Sequence, residues 1–493
     1  MPFVSTRGAE HVSAPEAIVR GIAPDGGLYV PLELPRLSRR DFDALAQMDY
    51  PARAAYTLNA LLDGFTQEEL LPMAKDAYAR FDDPAVAPIR ELRDGRYVLE
   101  LFHGPTLAFK DMALQFLPRL LTASAKKQGE TKEIAILTAT SGDTGKAALE
   151  GFRDVAGTSV TVFYPLGGVS AVQEKQMVTS QGKNVHVVSV RGNFDDAQTG
   201  VKKLFGDPDF QKKMEEMGKT LSSANSINLG RLAPQVAYYL SACAELLRRG
   251  KITWDEGLNV CVPTGNFGNI LAAWYAKRMG APIKKLICAS NKNDVLTDFI
   301  NTGVYDRRRE FHKTISPSMD ILISSNLERF LWELAGGDPG AVRGWMDALR
   351  QNGVYEISEG QKETLRAAFY GGFADDAATR QTIRALWETE GYLTDPHTGV
   401  AMRVSQGYRA ETKDSAPMLI VSTASPYKFA ADVADAIQVK TEGDAFAAAA
   451  ALEKKTGVKA PEAVLKLRDM PVLHTRVCEK DAMGEAVLAG YRG

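Results

Sequence analysis

Lys110 sits in the run His103-Gly104-Pro105-Thr106-Leu107-Ala108-Phe109-Lys110-Asp111, between an aromatic ring and an amphipathic pattern of Met112, Phe116 and Leu117. Apolar surroundings strip water from an ammonium, lower its pKa and leave more free amine. A free amine attacks an aldehyde or takes a proton. The same run also fits a lysine that reaches from a helix end to water.

Four other segments are polar where the chain leaves an apolar run. Pro263-Thr264-Gly265-Asn266-Phe267-Gly268-Asn269 follows a predicted strand and opens a helix. Glycines allow close backbone approach, and the N–H groups at a helix start point at an anion. The loop holds no Lys or Arg. Backbone amides and the helix dipole would carry a phosphate there, the dipole contributing roughly 0.3–2 kcal/mol. An ordinary tight strand-to-helix turn is the alternative.

Thr138-Ala139-Thr140-Ser141-Gly142-Asp143-Thr144-Gly145-Lys146-Ala147 joins another strand to a helix. A nucleotide P-loop needs Gly where Thr140 stands and Ser or Thr where Ala147 stands, so that reading fails twice. The hydroxyls and free amides still suit a carboxylate or phosphate, or cap a helix. Ser222-Ser223-Ala224-Asn225-Ser226-Ile227-Asn228-Leu229-Gly230-Arg231 ends in a guanidinium suited to the same anions, ahead of a helix led by Pro234. A capping loop is the other reading. In Val421-Ser422-Thr423-Ala424-Ser425-Pro426 one hydroxyl could meet a buried ring nitrogen, or the cluster caps a helix.

The elements around these segments alternate. Short apolar runs at 134–137, 160–164, 185–190, 259–262, 286–289 and 418–421 are each followed by turns and most by helical patterns. That order predicts an α/β fold with parallel sheets covered on both faces. Doubly wound sheets bind ligands at the C-terminal ends of their strands, where the polar segments fall. Residues before about 95 mix turns with helical patterns such as 51–65 and read as a separate domain. Residues 325–390 and the tail after about 440 read as mostly helical. Within that tail, Asp444 is placed to cap a helix from Ala445 and Gly457 to end it.

Composition removes several functions. Among 493 residues, 45% are hydrophobic and 24% charged, and 59 Lys+Arg against 61 Asp+Glu give a formal charge of -2. No cationic excess is present for nucleic acid or an anionic membrane. Cys243, Cys261, Cys288 and Cys478 are dispersed and the histidines scattered, so no metal motif or disulfide framework is suggested. No run matches a signal peptide or a bilayer span, and a cytoplasmic location is expected.

In order, GPTLAFKD, TATSGDTGKAAL, SANSINLGRLAPQ, VPTGNFGNI and STASPYKF closely resemble the threonine synthase family. Ser5-Thr6-Arg7-Gly8 resembles the start of its longer bacterial and fungal branch. The resemblance covers essentially the whole chain. It implies fold-type II architecture, with two doubly wound α/β lobes of the tryptophan synthase beta-like kind and pyridoxal 5'-phosphate in their cleft. The expected divisions are an N-terminal domain to residue 95, a catalytic domain over 96–440 with a smaller lobe at about 135–235, and a helical segment over 441–493.

The resemblance implies conversion of O-phospho-L-homoserine and water to L-threonine and phosphate. It makes Lys110 the Schiff-base lysine and proton carrier, Gly265, Asn266, Phe267, Gly268 and Asn269 the cofactor-phosphate cradle, and Thr423 the partner of the ring nitrogen. Thr140, Ser141, Asn225, Asn228, Arg231 and Lys146 become candidates for the substrate's anionic groups. Many fold-type II relatives carry Asn near the cofactor's 3′-oxygen where this chain has Asp143. A carboxylate there needs a compensating donor. Rival readings are a dehydratase or β-replacement enzyme of the same fold and a non-catalytic homologue. The substrate is a small molecule, and monomer and homodimer both stay open.

Overall fold

A computed structural model describes residues 2–140, 142–441 and 444–492. Two sheets carry the architecture. The larger has six strands in the order Phe369–Phe373, Ile283–Ser290, Leu258–Pro263, Met418–Ser422, Arg96–Glu100 and Ile89–Glu91. All its neighbours are parallel except the last pair. The smaller has five parallel strands in the order Arg476–Glu479, Val185–Arg191, Thr158–Pro165, Glu133–Ala139 and Lys219–Ser222. Strands such as Leu258–Pro263 and Thr158–Pro165 are buried along their whole length. Sheets covered on both faces require that, and it explains why these strands read as unbroken apolar runs rather than alternating ones.

The N-terminal part begins as a three-stranded antiparallel sheet of Phe3–Ser5, His11–Val12 and Tyr29–Pro31. Helices Ala14–Arg20, Arg39–Gln47, Tyr50–Leu61 and Gln67–Tyr78 follow. Their apolar faces merge with the main core rather than forming a second one: Ile18, Leu58 and Leu70 belong to the same buried cluster as Leu232, Val236 and Leu271.

Three boundaries differ from the sequence expectation. Ile89–Glu91 pairs with Arg96–Glu100, so the catalytic sheet starts before residue 95. The C-terminal segment is not only helical: Arg476–Glu479 adds an edge strand to the smaller sheet, and helix Met483–Tyr491 packs behind it through Met483 and Val487. An edge strand that is mostly exposed shows no apolar alternation to read. The helix expected from Pro234 begins earlier, at Leu229, because the Asn228 side chain accepts from Gly230 N–H and caps it there. The expected helix after Asp444 runs Ala445–Thr456, with Asp444 as its N-cap and Gly457 at φ 71° ending it.

Candidate active site

The turn before Lys110 is zipped onto the segment that carries Thr423. Phe109 N–H donates to Thr423 O (2.8 Å), Ser425 N–H donates to Leu107 O (3.0 Å), and Ala108 bridges Ala424. The turn itself is fixed by buried Asp111, which accepts from Thr106 N–H and Oγ1, both at 2.8 Å. Burial pushes the Asp111 carboxyl up to about 6 despite those donors. Leu107 takes φ 61°, and a Cβ on Gly104 would fall 2.5 Å from Asp111 Cβ. The turn therefore tolerates few sequences, and it sets Lys110 at the first position of helix Lys110–Leu114, beside the end of strand Met418–Ser422.

Lys110 Nζ faces Asp143 Oδ2 at 3.4 Å and Ser318 Oγ at 3.3 Å. Asp143 opens helix Asp143–Phe152 and receives three further donors. Lys428 Nζ (3.0 Å) and Gln173 Nε2 (3.1 Å) reach Oδ1, and Ser318 Oγ (3.1 Å) reaches Oδ2. Burial alone would raise the Asp143 carboxyl. Lys428 and then Lys110 outweigh it and hold the group well below the ordinary carboxylate range. Lys110 moves the other way: desolvation lowers its ammonium more than Asp143 raises it, and Lys428 and Arg231 add repulsion. The buried site favours a fixed carboxylate beside an amine that gives up its proton readily.

Lys428, Gln173 and Ser318 were not singled out from sequence. Ser318 is held from behind. Its N–H donates to His397 Nε2 (3.1 Å), which leaves His397 Nδ1 to donate to buried Asp395 (2.8 Å). Ser318 also meets the glycine loop, since a Cβ on Gly265 would lie 2.8 Å from Ser318 O. One backbone segment thus borders both Lys110 and the 265–269 turn.

That turn has the form of an anion cradle. Phe267 adopts φ 62°, uncommon for an aromatic, and is held there by packing against Phe330 and Phe369. Helix Gly268–Arg278 starts immediately after it. Asn326 N–H donates to Asn266 O (3.0 Å) and Ser324 Oγ to Gly265 O (2.8 Å). Asn269 Oδ1 accepts from the hydroxyls of Tyr238 (2.5 Å) and Tyr239 (2.6 Å). Two buried amide nitrogens, Asn269 Nδ2 and Asn326 Nδ2, have no partner among the described residues, and Asn326 Nδ2 lies 3.4 Å from where a Cβ on Gly268 would stand. Orphaned donors beside a helix start fit a phosphate dianion.

The remaining candidates separate. Arg231 is buried, and among the described residues its one side-chain hydrogen bond goes to Ala224 O (2.9 Å). Burial lowers its guanidinium to about 10. Asn225 is half-buried on the loop that leads into the Arg231 helix. Asn228 is occupied as the cap above and also donates to Ile18 O and Ser223 O. Thr140 Oγ1 accepts from Gly142 and Gly145 N–H and caps its helix. Lys146 is engaged by Glu150 and Ser180, both at 3.2 Å. Ser141 lies outside the described residues. Among the described residues no cluster of His, Cys, Asp or Glu could hold a metal, and no helix is long and apolar enough to cross a membrane.

Comparison with known proteins agrees with this geometry. The family described as "Pyridoxal-phosphate dependent enzyme" matches residues 90–424, and "Threonine synthase N terminus" matches residues 2–78. A threonine synthase from Pseudomonas aeruginosa is 38% identical, over 87% of this chain and 89% of that protein. The structure of a PLP-bound threonine synthase from Brucella melitensis superposes with a TM-score of 0.89 at 38% identity, covering 100% of both chains. "Threonine synthase-like 1" from Pongo abelii is 42% identical over 89% of this chain, and the match spans 61% of that longer relative. The chain therefore belongs to the threonine synthase family of pyridoxal-phosphate-dependent enzymes. Its cofactor is pyridoxal phosphate.

Proposed function

We propose that the protein is a threonine synthase that converts O-phospho-L-homoserine and water to L-threonine and phosphate. The observation that carries the reading is Arg231: a buried guanidinium with no carboxylate partner among the described residues, close enough to Lys110 for its charge to depress that ammonium. A buried cation without a counter-charge is costly unless an anion arrives. The cofactor's own phosphate has the 265–269 cradle, so Arg231 is free for an anionic group of the substrate.

In this reading Lys110 is the covalent attachment point, the 265–269 turn with Asn326 holds the cofactor phosphate, and Thr423 meets the ring nitrogen. When bound, the cofactor is an electron sink for the substrate's α-carbon and makes loss of the γ-phosphate accessible. Lys110 supplies proton transfer. Its amine, whose ammonium form burial disfavours, takes the proton from Cα and then moves a proton between Cβ and Cγ. Asp143 stays ionised because Lys428 neutralises it, and Ser318 holds the Lys110 amine beside it. Arg231, with Asn225 on the loop before its helix, binds the phosphate and receives it as it leaves. A cytoplasmic setting goes with this reading, supported by the buried free thiols of Cys243, Cys261 and Cys288.

The test is the pair of products. Wild-type protein should release threonine and phosphate from O-phospho-L-homoserine, and little ammonia from threonine. Arg231→Leu should retain bound cofactor but weaken substrate binding by roughly tenfold to a hundredfold, the effect of losing a charge-assisted contact. Undiminished substrate affinity in that variant would remove the basis of the assignment.

A further inference from the structure

The four residues Ser5-Thr6-Arg7-Gly8 lie outside every part of the site described so far, yet each is tightly used. Ser5 Oγ donates to Asp25 Oδ1 (2.7 Å) and accepts from Arg7 N–H (3.1 Å). A Cβ on Gly8 would fall 2.3 Å from Asp25 Oδ2, so any side chain there would displace the carboxylate that Ser5 holds. Thr6 is fully buried and donates from Oγ1 to Glu328 Oε1 (2.6 Å). Arg7 grips the same carboxylate as a fork, Nε on Oε1 and Nη2 on Oε2, both at 2.7 Å. Three donors from one tetrapeptide converge on a carboxylate more than three hundred residues away.

The next residue, Arg329, has no exposed surface and no carboxylate in hydrogen-bond contact among the described residues. Its donors are spent on acceptors from three regions. Nε reaches Tyr29 O in the N-terminal sheet (2.9 Å). Nη1 and Nη2 reach Ser226 O and Ile227 O, and Nη1 also reaches Asn326 Oδ1. Ser226 and Ile227 directly precede Asn228, the cap of the helix whose first turn carries Arg231. Asn326 is the residue whose free amide borders the phosphate cradle. Two more N-terminal contacts land on the same loop: Asn228 Nδ2 on Ile18 O (3.0 Å) and Ser222 Oγ on Val19 O (3.2 Å).

Apolar packing would join two domains at lower desolvation cost than this network. What a directional network adds is one fixed register for the groups it touches. We propose that Thr6 and Arg7 are positioning residues of the active site. Through Glu328 and Arg329 they fix the 226–227 carbonyls, and thereby the placement of Arg231 against the substrate's anion. The inference rests on the reading of Arg231 given above, and it assigns the N-terminal segment a role in substrate affinity.

The experiment compares wild-type holoenzyme with Arg7→Leu, Arg7→Lys, Arg231→Leu and the Arg7→Leu/Arg231→Leu double variant. The readouts are KM and kcat for O-phospho-L-homoserine, inhibition by inorganic phosphate, absorbance of the bound cofactor, and Tm. Arg7→Leu should raise KM and the phosphate inhibition constant roughly tenfold with a smaller change in kcat, the cofactor band being retained. Arg7→Lys keeps the charge without the fork and should fall between. In the Arg231→Leu background the Arg7 change should add little, because residues acting through one another are not additive. Unchanged KM and phosphate inhibition in Arg7→Leu, or fully additive effects in the double variant, would overturn the proposal. Should Arg7→Leu not fold, Glu328→Gln is measured in the same way, with the same two outcomes. If Arg231→Leu itself leaves KM unchanged, the functional reading fails. If Arg231→Leu weakens binding and Arg7→Leu does not, only the positioning role fails.

Discussion

Lys428 Nζ lies 3.0 Å from Asp143 Oδ1, with its side chain wholly buried and a second hydrogen bond made to Thr106 O at 2.8 Å. It is the compensating donor that a carboxylate at position 143 calls for, and it ties that carboxylate to the turn before Lys110. Lys428→Met should cost about 3–5 kcal/mol, the penalty for orphaning one member of a buried pair. Adding Asp143→Asn should recover part of it. The sign with pH follows from the lowered Asp143 pKa. Its stabilising contribution is complete above the unfolded carboxylate range near about pH 4 and is lost as pH falls. The stability gap between wild type and Lys428→Met should therefore shrink in acid, as denaturant titrations at several pH values would reveal. Removing Lys428 also removes a repulsion on Lys110. Attachment of cofactor to the variant, followed by absorbance, should need higher pH than in wild type.

Gly265→Ala tests the cradle. The added methyl would meet Ser318 O at 2.8 Å and Met319 Cα at 3.2 Å, backbone atoms that cannot rotate away. Overpacking of this kind costs about 1–3 kcal/mol. Because Ser318 also contacts Lys110 and Asp143, the displacement should reach the lysine as well. We expect cofactor affinity to fall by roughly tenfold or more, read by absorbance after dialysis. A variant that retains cofactor as wild type does would show that the loop is not held against that segment.

Much of this was legible because local rules decided it. Buried parallel strands announce themselves as apolar runs, so Leu258–Pro263 and Met418–Ser422 stood out. Asp444 and Gly457 fixed both ends of one helix. Strand Arg96–Glu100 was less visible, since charged residues bound it. Lys428 could not be read at all: between Tyr427 and Phe429 it resembles a lysine covering apolar surface, and only the tertiary fold brings it to Asp143. Ser318 and Gln173 are ordinary polar residues in sequence for the same reason. The capping alternatives considered for Thr140 and Asn228 describe what those side chains do here.

Asn228→Ala separates capping from substrate binding. The change removes the helix cap and leaves Ile18 O and Ser223 O each short of a donor. Loss of a cap costs about 1 kcal/mol, and a buried unsatisfied group about 1–3 kcal/mol more. Tm should fall, and KM should rise only as far as the Arg231 helix loosens. A large rise in KM at unchanged Tm would instead make Asn228 a direct ligand of the substrate.

His103 supplies a pH dependence of the opposite sign. Its Nδ1 lies 2.6 Å from Asp82 and its Nε2 3.1 Å from Glu100. Burial would lower the imidazolium, but hydrogen bonds to Asp82 and Glu100 outweigh it and raise the group to about 9. A pKa raised on folding means the charged form stabilises the native state. That contribution is complete below the unfolded value near about 6.5 and is lost as pH climbs toward 9. Asp82 is mostly exposed, so solvent screening leaves about 1–2 kcal/mol. Denaturation of wild type and His103→Gln should differ by that amount at pH 6 and converge by pH 9. A gap that stays constant across this range would mean that His103 contributes through packing on Phe102 rather than through its charge.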